Sequence, residues 1–319
     1  MSLAVIQPGL LSTIQDLGRR GFQKQGIVVG GVMDSYSARI ANFLVGNFHD
    51  EALLDISMIG PTIRFTHNHL IAVTGADLTP LLNGSKMKSW APVHVKAGSI
   101  LSFDAFERGR YAYLAVSGGF DVPRVLGSRS THLKAELGGF FGRALRAGDL
   151  LPAQPMEQWG EEKNWWMIFP EFIMPETTPV IRVLRGPEWD LIPGHDHFFL
   201  DDFILSSQSD RMGYRIQGES AVFSHNQEMI SSAVTYGTIQ IPPDGHPIIL
   251  MADRQTTGGY PRIGHVITAD LPKVAQVLPG KKIKFQEVSI RQAQEACVLL
   301  ESKIKKIEGA LRGKWGRHG

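Results

Sequence analysis

The sequence predicts a mainly β fold built as two barrel-like halves related by internal duplication. Three observations carry this expectation. Short apolar runs recur between Gly, Pro, Asn or Asp turns, helical periodicity is confined to a few stretches, and four sequence blocks occur twice in the same order. Short strands with frequent turn residues favour closed barrels or sandwiches. At 319 residues the chain also exceeds the usual size of one hydrophobic core, so two domains are expected.

The strand runs are SLAVIQ, TIRF, HLIAV, SILSF, YAYLAV, VIRVL, FILSS, TIQI, IILMA and KIKF. The first helix, DSYSARIANFLVGN, opens on Asp34 as N-cap, places Ala38, Ala41, Leu44 and Val45 on one face and stops at Gly46. The second, ADLPKVAQVLPG, begins near Asp270 and is cut off by Pro279 and Gly280. A third starts at Ser289 and repeats apolar residues at Ala293, Ala296, Leu300, Ile304, Ile307 and Leu311, the spacing of a helix laid on a surface or a partner. Between the strand-rich halves, PAQPMEQWGEEKNWWMIFPEFIMPETTP carries five prolines and a charge cluster that prevent regular pairing. Its Trp159, Trp165, Trp166, Phe169 and Phe172 suit packing against a domain. The expected division is a first barrel at 1–152, a linker at 153–178, a second barrel at 179–288, and a helix with a basic tail at 289–319.

The repeat supports this division. RRGFQKQG (19–26) matches RMGYRIQG (211–218), SMIGPTIRF matches VTYGTIQI around Gly60 and Gly237, and SGGFDVPRVLG matches TGGYPRIG. AGDLLP and PGKKIKF follow in the same order. Duplicated halves place equivalent loops near a shared axis, where a cleft is the default site.

A formal charge of +2 with both signs mixed gives no electrostatic case for nucleic acid. Only the tail KIKKIEGALRGKWGRHG is locally basic, as solvated chain ends often are. Cys297 is the one cysteine, no leader-like apolar run follows Met1 and no stretch approaches the length of a membrane span, so a soluble cytoplasmic protein is expected. The amphipathic third helix offers a surface for homo-oligomers.

Chemistry-bearing residues concentrate in loops that leave apolar strands. MADRQTTGGYPRIG places Asp253, Arg254, Gln255, Thr256, Thr257, Gly258, Gly259, Tyr260 and Arg262 in one span. A mere turn needs glycine but not so many polar side chains, so this loop should face water or a ligand. Ser117, Gly118 and Gly119 form a matching turn, read first as a tight strand exit and second as an anion-holding backbone. Asp77 in VTGAD and Asp253 are candidate acid and base, each also a common turn residue. Met33 and Asp34 precede the first helix, whose N-terminus suits an anion; capping by Asp34 explains the same letters. The pairs His67/His69 and His195/His197 lack a completing ligand cluster, so no metal is expected. Ser117 lacks the nucleophile-elbow pattern. NGSKMKSW has Met87 where a biotin-bearing hairpin would need lysine, so it is read as a polar hairpin without covalent biotin.

Together VTGADLTPLLNG, Trp90, Gly98, YLAVSGGFDVPRVLGSRST, LGGFFGRALRAGDLL, VLRGPEWD, SDRMGYRIQG and MADRQTTGGYPRIG resemble the biotin-dependent carboxyltransferase-like family, from about Val5 to Val288. That family includes allophanate-hydrolase-subunit-2-type proteins, the KipI antagonist and the C-type subunits of bacterial 5-oxoprolinase. The resemblance implies two tandem cyclophilin-like β-barrels. It also implies ATP-driven opening of the 5-oxoproline lactam to L-glutamate, beside KipI-like and LamB/YcsF-like subunits. ATP, with or without magnesium, is the implied cofactor. Two other family roles are antagonism of a KipI-like kinase inhibitor and carboxyl transfer in a urea carboxylase-type system. By family position, Arg254 to Tyr260 would line the substrate site, and Asp77 or Asp253 would serve as general acid or base.

Overall fold

Strands begin and end where the apolar runs meet their turn residues. The computed structural model describes residues 2–104, 107–154, 170, 173–174, 177–218 and 229–315. It divides into two units: Met1–Arg20, Gly30–Pro170 and Lys303–Gly319 form the first, Gly21–Val29 and Glu171–Ser302 the second.

The first unit holds two antiparallel sheets around one core. One runs in the order Leu150–Pro152, Ser2–Gln7, Thr62–Phe65, Ile100–Phe103, Pro80–Leu82, Ser85–Lys86. The other runs Leu11–Gln15, Leu53–Ser57, Arg108–Val116, His69–Asp77, Val93–Val95. Leu3, Val5, Ile63, Phe65 and Leu101 from one sheet meet Ile14, Leu54, Ile71, Val73 and Leu114 from the other. The barrel-like expectation for this half thus takes the form of two sheets without a common ladder among the described residues. HLIAV and YAYLAV are continuously apolar because α1 (Ser35–Leu44) covers the second face of their strands. Asn83 and Gly84 take positive φ in the two-residue turn joining Leu82 to Ser85, forming the polar hairpin read from NGSKMKSW.

The second unit is a closed seven-stranded barrel. Its order is Val180–Arg185, Arg262–Val266, Thr238–Gln240, Ile248–Leu250, Gly213–Gly218, Asp202–Leu205, Lys282–Glu287. Neighbours are antiparallel, and the last strand closes on the first in parallel. Closure leaves no unpaired edge. Ile181, Val183, Phe203, Ile216, Ile239, Ile263 and Ile283 are buried, and Phe198 stacks on Phe285 at 4.5 Å between ring centroids. Asp270, almost fully buried, receives Arg182 through Nε at 3.0 Å and Nη2 at 2.7 Å. That pair holds the turn before α2 (Leu271–Ala275) to the barrel wall.

Three α-helices occur among the described residues. α3 spans Ile290–Trp315 and buries Ile304 and Leu311. Ala293, Ala296, Leu300 and Ile307 of the predicted stripe are half-buried. At its end, Trp315 Nε1 donates to Phe43 O at 3.1 Å, and the indole lies over Gly46, whose φ of 79° ends α1. No helix among the described residues is long and apolar enough to cross a membrane. The predicted linker aromatics Trp159, Trp165, Trp166, Phe169 and Phe172 lie outside the described residues.

The duplicated blocks share contacts more than conformation. RMGYRIQG supplies the strand Gly213–Gly218, whereas RRGFQKQG holds only a short 3-10 turn at Gln23–Gln25. Yet the first arginine of each block is buried and reaches the later glycine loop of its own half. Arg19 Nε donates to Val125 O at 2.9 Å, and Arg211 Nε donates to Asp253 Oδ2 at 2.8 Å.

His69 sits almost fully buried at the head of its strand, its ring 5.7 Å from that of Phe65. Apart from a weak approach to the Gln154 backbone, neither ring nitrogen has a hydrogen-bond partner. Burial, reinforced by His67, holds its pKa down to about 4. The unfolded chain binds this proton near the ordinary value of about 6.5, so stability present above that value is lost as pH falls towards 4. The denaturant midpoint should therefore drop between about pH 6.5 and pH 4, and His69→Phe should flatten that dependence. An unchanged slope in the variant would rule out His69 as its source.

Candidate functional site

The strand Ile248–Leu250 delivers the chain into MADRQTTGG at one end of the barrel, and the anchor of this loop is an ion pair. Arg211 Nε and Nη2 reach Asp253 Oδ2 and Oδ1 at 2.8 and 3.2 Å, with both side chains below 10% exposed. Backbone bonds repeat the tie, Asp253 N donating to Arg211 O at 2.8 Å and Met251 N to Met212 O at 2.9 Å. Asp253 thus holds the loop, with both carboxylate oxygens engaged by the guanidinium fork.

Arg254, the next residue, is half-buried. Its Nη1 donates to Met251 O at 3.3 Å and Ala252 O at 3.4 Å, and its guanidinium carbon lies 5.9 Å from the centroid of the Tyr236 ring. Nε is buried without a hydrogen-bond partner. Burial pushes the guanidinium below its ordinary pKa, against the opposing pull of Tyr236 and Asp253, and it remains a cation at neutral pH. A cation over an aromatic ring with an unused donor is suited to a carboxylate or another planar anion.

The rest of the loop forms the wall. Gln255 is half-buried and makes no hydrogen bond among the described residues. Thr256 O accepts from Val234 N at 3.1 Å, and Thr257–Gly258 pairs with Ser232–Ala233. A Cβ on Gly258 would lie 2.6 Å from Gln240 Nε2, which itself donates to Tyr260 O at 3.1 Å. A side chain at this position would displace the Gln240 amide. Gly259 is half-buried and Tyr260 is 43% exposed. Arg262 is engaged elsewhere: its Nε and Nη2 meet Glu188 Oε2 and Oε1 at 2.9 and 2.7 Å. The Arg262 bond lowers the Glu188 pKa and fixes the ion pair at neutral pH.

The other predicted residues belong to the first unit. Asp77 ends the strand His69–Asp77, where its Oδ1 accepts from Thr79 N at 3.1 Å in a local turn. Ser117 lies at the other end of the same strand pair, donating to Leu70 O at 2.8 Å. Seven residues of extended chain separate Leu70 from Asp77, roughly 20 Å, so the structure does not join Asp77 to the Ser117 turn. The N–H groups of Ser117, Gly118 and Gly119 go to Leu70 O, Asn47 Oδ1 and Val116 O. With those donors committed, the turn reads as a strand exit. Met33 is buried, and Asp34 caps α1 by accepting from Ser37 N at 2.9 Å and Ser37 Oγ at 2.5 Å. Among the described residues no His, Cys, Asp and Glu cluster is placed to hold a metal ion. His195 and His197 stand on a 3-10 turn.

Sequence reasoning missed Tyr236 and His265. Tyr236 lies in VTYGTIQI, a block noted only for its repeat, and His265 follows the glycine that ends TGGYPRIG. His265 Nδ1 stands 3.5 Å from Thr235 Oγ1, which is 3.2 Å from Thr238 Oγ1. Burial, then the charge of Arg254, lowers its pKa. Asp253→Ala should cost about 3–5 kcal/mol of stability by removing the carboxylate from buried Arg211, whereas Arg254→Ala should cost below about 1 kcal/mol. Chemical denaturation of the two variants checks this, and equal losses would contradict the division of roles.

The family model described as carboxyltransferase domain, subdomain A and B, matches residues 25–287. The 5-oxoprolinase C subunit of Haemophilus influenzae is 40% identical over 286 residues, covering 88% of this chain and 90% of its own length. The Escherichia coli subunit of the same name is 38% identical over 301 residues, covering 92% and 94%. The crystal structure of Kluyveromyces lactis urea carboxylase superposes with a TM-score of 0.86 at 31% identity, over 96% of this chain and 29% of the yeast protein. This chain therefore corresponds to less than a third of that larger protein. With the match extending over most of its length, the chain belongs to the carboxyltransferase domain, subdomain A and B, family.

Proposed function

We propose that this chain is the C-type subunit of an ATP-dependent 5-oxoprolinase, which opens the 5-oxoproline lactam to L-glutamate in a complex with KipI-like and LamB/YcsF-like subunits. The observation that carries the reading is the identity of 38–40% to bacterial 5-oxoprolinase C subunits across about nine-tenths of each chain. Arg254 supports it from the side of chemistry. 5-Oxoproline is a planar lactam with one carboxylate, and Arg254 offers a desolvated cation with a free donor beside Tyr236. The lactam carbonyl resists water, so its oxygen must be activated before attack, and phosphoryl transfer from ATP supplies that activation. In this chain Arg254 holds the carboxylate, Tyr236 supports the guanidinium, and the Arg211–Asp253 pair keeps the loop in place.

The likeness to urea carboxylase favours a second reading, carboxyl transfer from a separate biotin carrier. The two are separated by product. This chain mixed with the two partner subunits, 5-oxoproline and ATP should yield glutamate and ADP, with turnover lost when the chain is omitted. Arg254→Ala should then raise KM for 5-oxoproline by about tenfold or more, the scale of one charged contact. Turnover without the chain, or urea-dependent carboxylation in its place, would overturn the proposal.

A further inference from the structure

His265 touches Thr235, beside the segment that pairs with the Arg254 loop, and nothing in the reaction as proposed uses it. It lies on Arg262–Val266, paired across the barrel wall with Thr238 on one side and Leu184 on the other. Thr235 presents its hydroxyl to Nδ1 at 3.5 Å, with Thr238 Oγ1 behind it at 3.2 Å, and the ring of Tyr236, the residue after Thr235, lies against the Arg254 guanidinium. Nε2 has no hydrogen-bond partner among the described residues.

The charged groups around the ring have defined partners, with one exception. Arg182 and Arg185 on the adjacent strand are held by Asp270 and Glu287, Arg262 on its own strand by Glu188, and Asp253 by Arg211. Tyr236 is the further titratable side chain beside Arg254. Arg254 has no carboxylate within ion-pair distance among the described residues, and its charge opposes protonation of His265.

On the reading that Arg254 receives the substrate carboxylate, we infer that His265 is a further residue of the site and that an anion docked on Arg254 is matched by uptake of one proton on the imidazole. A carboxylate bound to the guanidinium cancels the charge that opposes protonation of the ring and adds a negative group beside it. The Arg254 charge disfavours the imidazolium, and a carboxylate on the guanidinium favours it. Because the complex binds more protons than the free protein, affinity rises as pH falls through the liganded midpoint and levels off below the free one. His265 thus becomes a cation and hydrogen-bond donor only when the carboxylate is in place.

The test is titration of the full chain, labelled with nitrogen-15 at histidine and arginine, followed by NMR with and without 5-oxoproline. The His265 midpoint should rise by about one pH unit on addition of 5-oxoproline, while the Arg254 Nε resonance shifts. In Arg254→Gln the midpoint should rise without ligand and cease to respond to it. Affinity of the unaltered chain should gain up to about tenfold towards low pH, the equivalent of one pH unit, and His265→Gln should remove that gain. If Arg254 responds to 5-oxoproline while the His265 midpoint stays fixed, proton uptake at His265 is overturned and the carboxylate role of Arg254 stands. If neither resonance responds, the carboxylate reading of the site falls, and the inference with it.

Discussion

The loop that carries the candidate site depends on the buried pair between Arg211 and Asp253. Desolvating two charges is costly, and the pair is tolerated because the contact is bidentate and flanked by two backbone bonds. Its consequence is positional. With Asp253 fixed, Met251 and Ala252 present their carbonyls to Arg254, and that guanidinium is turned over Tyr236 with Nε unused. The short pairing of Ser232–Ala233 with Thr257–Gly258 then ties the far side of the loop.

The first unit solves the matching problem with different chemistry. Buried Asp16 accepts hydrogen bonds from Gly18 N, Ser128 Oγ, Ser130 Oγ and Arg129 N, and buried Arg19 donates to Val125 O and Ser130 O. GSRS in LGSRST is therefore spent on an internal carboxylate. In both halves an arginine opening the repeated block reaches into the later glycine loop. Duplication preserved the long-range tie and released the local conformation, since one block became a strand and the other a turn.

Several candidate residues have local duties that the sequence stated equally well. Asp34 caps a helix, Asp77 closes a turn, and the Ser117 to Gly119 amides satisfy neighbouring acceptors. Arg262 faces a carboxylate supplied by Glu188, which lies 74 positions away and whose role no local pattern announces. Gly258 meets the Gln240 amide, 18 positions away, which no local pattern announces.

By itself the sequence determined the mainly β class, the strand sites, the helix boundaries at Asp34 and Gly46, and the polar loop after Ile248–Leu250. Each rests on periodicity, turn chemistry or capping within a few neighbouring residues. The tertiary structure alone decided which polar side chains were already taken. Asp253, Arg254 and Arg262 look alike as charged loop residues, and only long-range partners separate two structural ion pairs from one cation with a free donor. His265 entered the site in the same way, because a barrel strand brought it beside a loop from which no local spacing could have derived it.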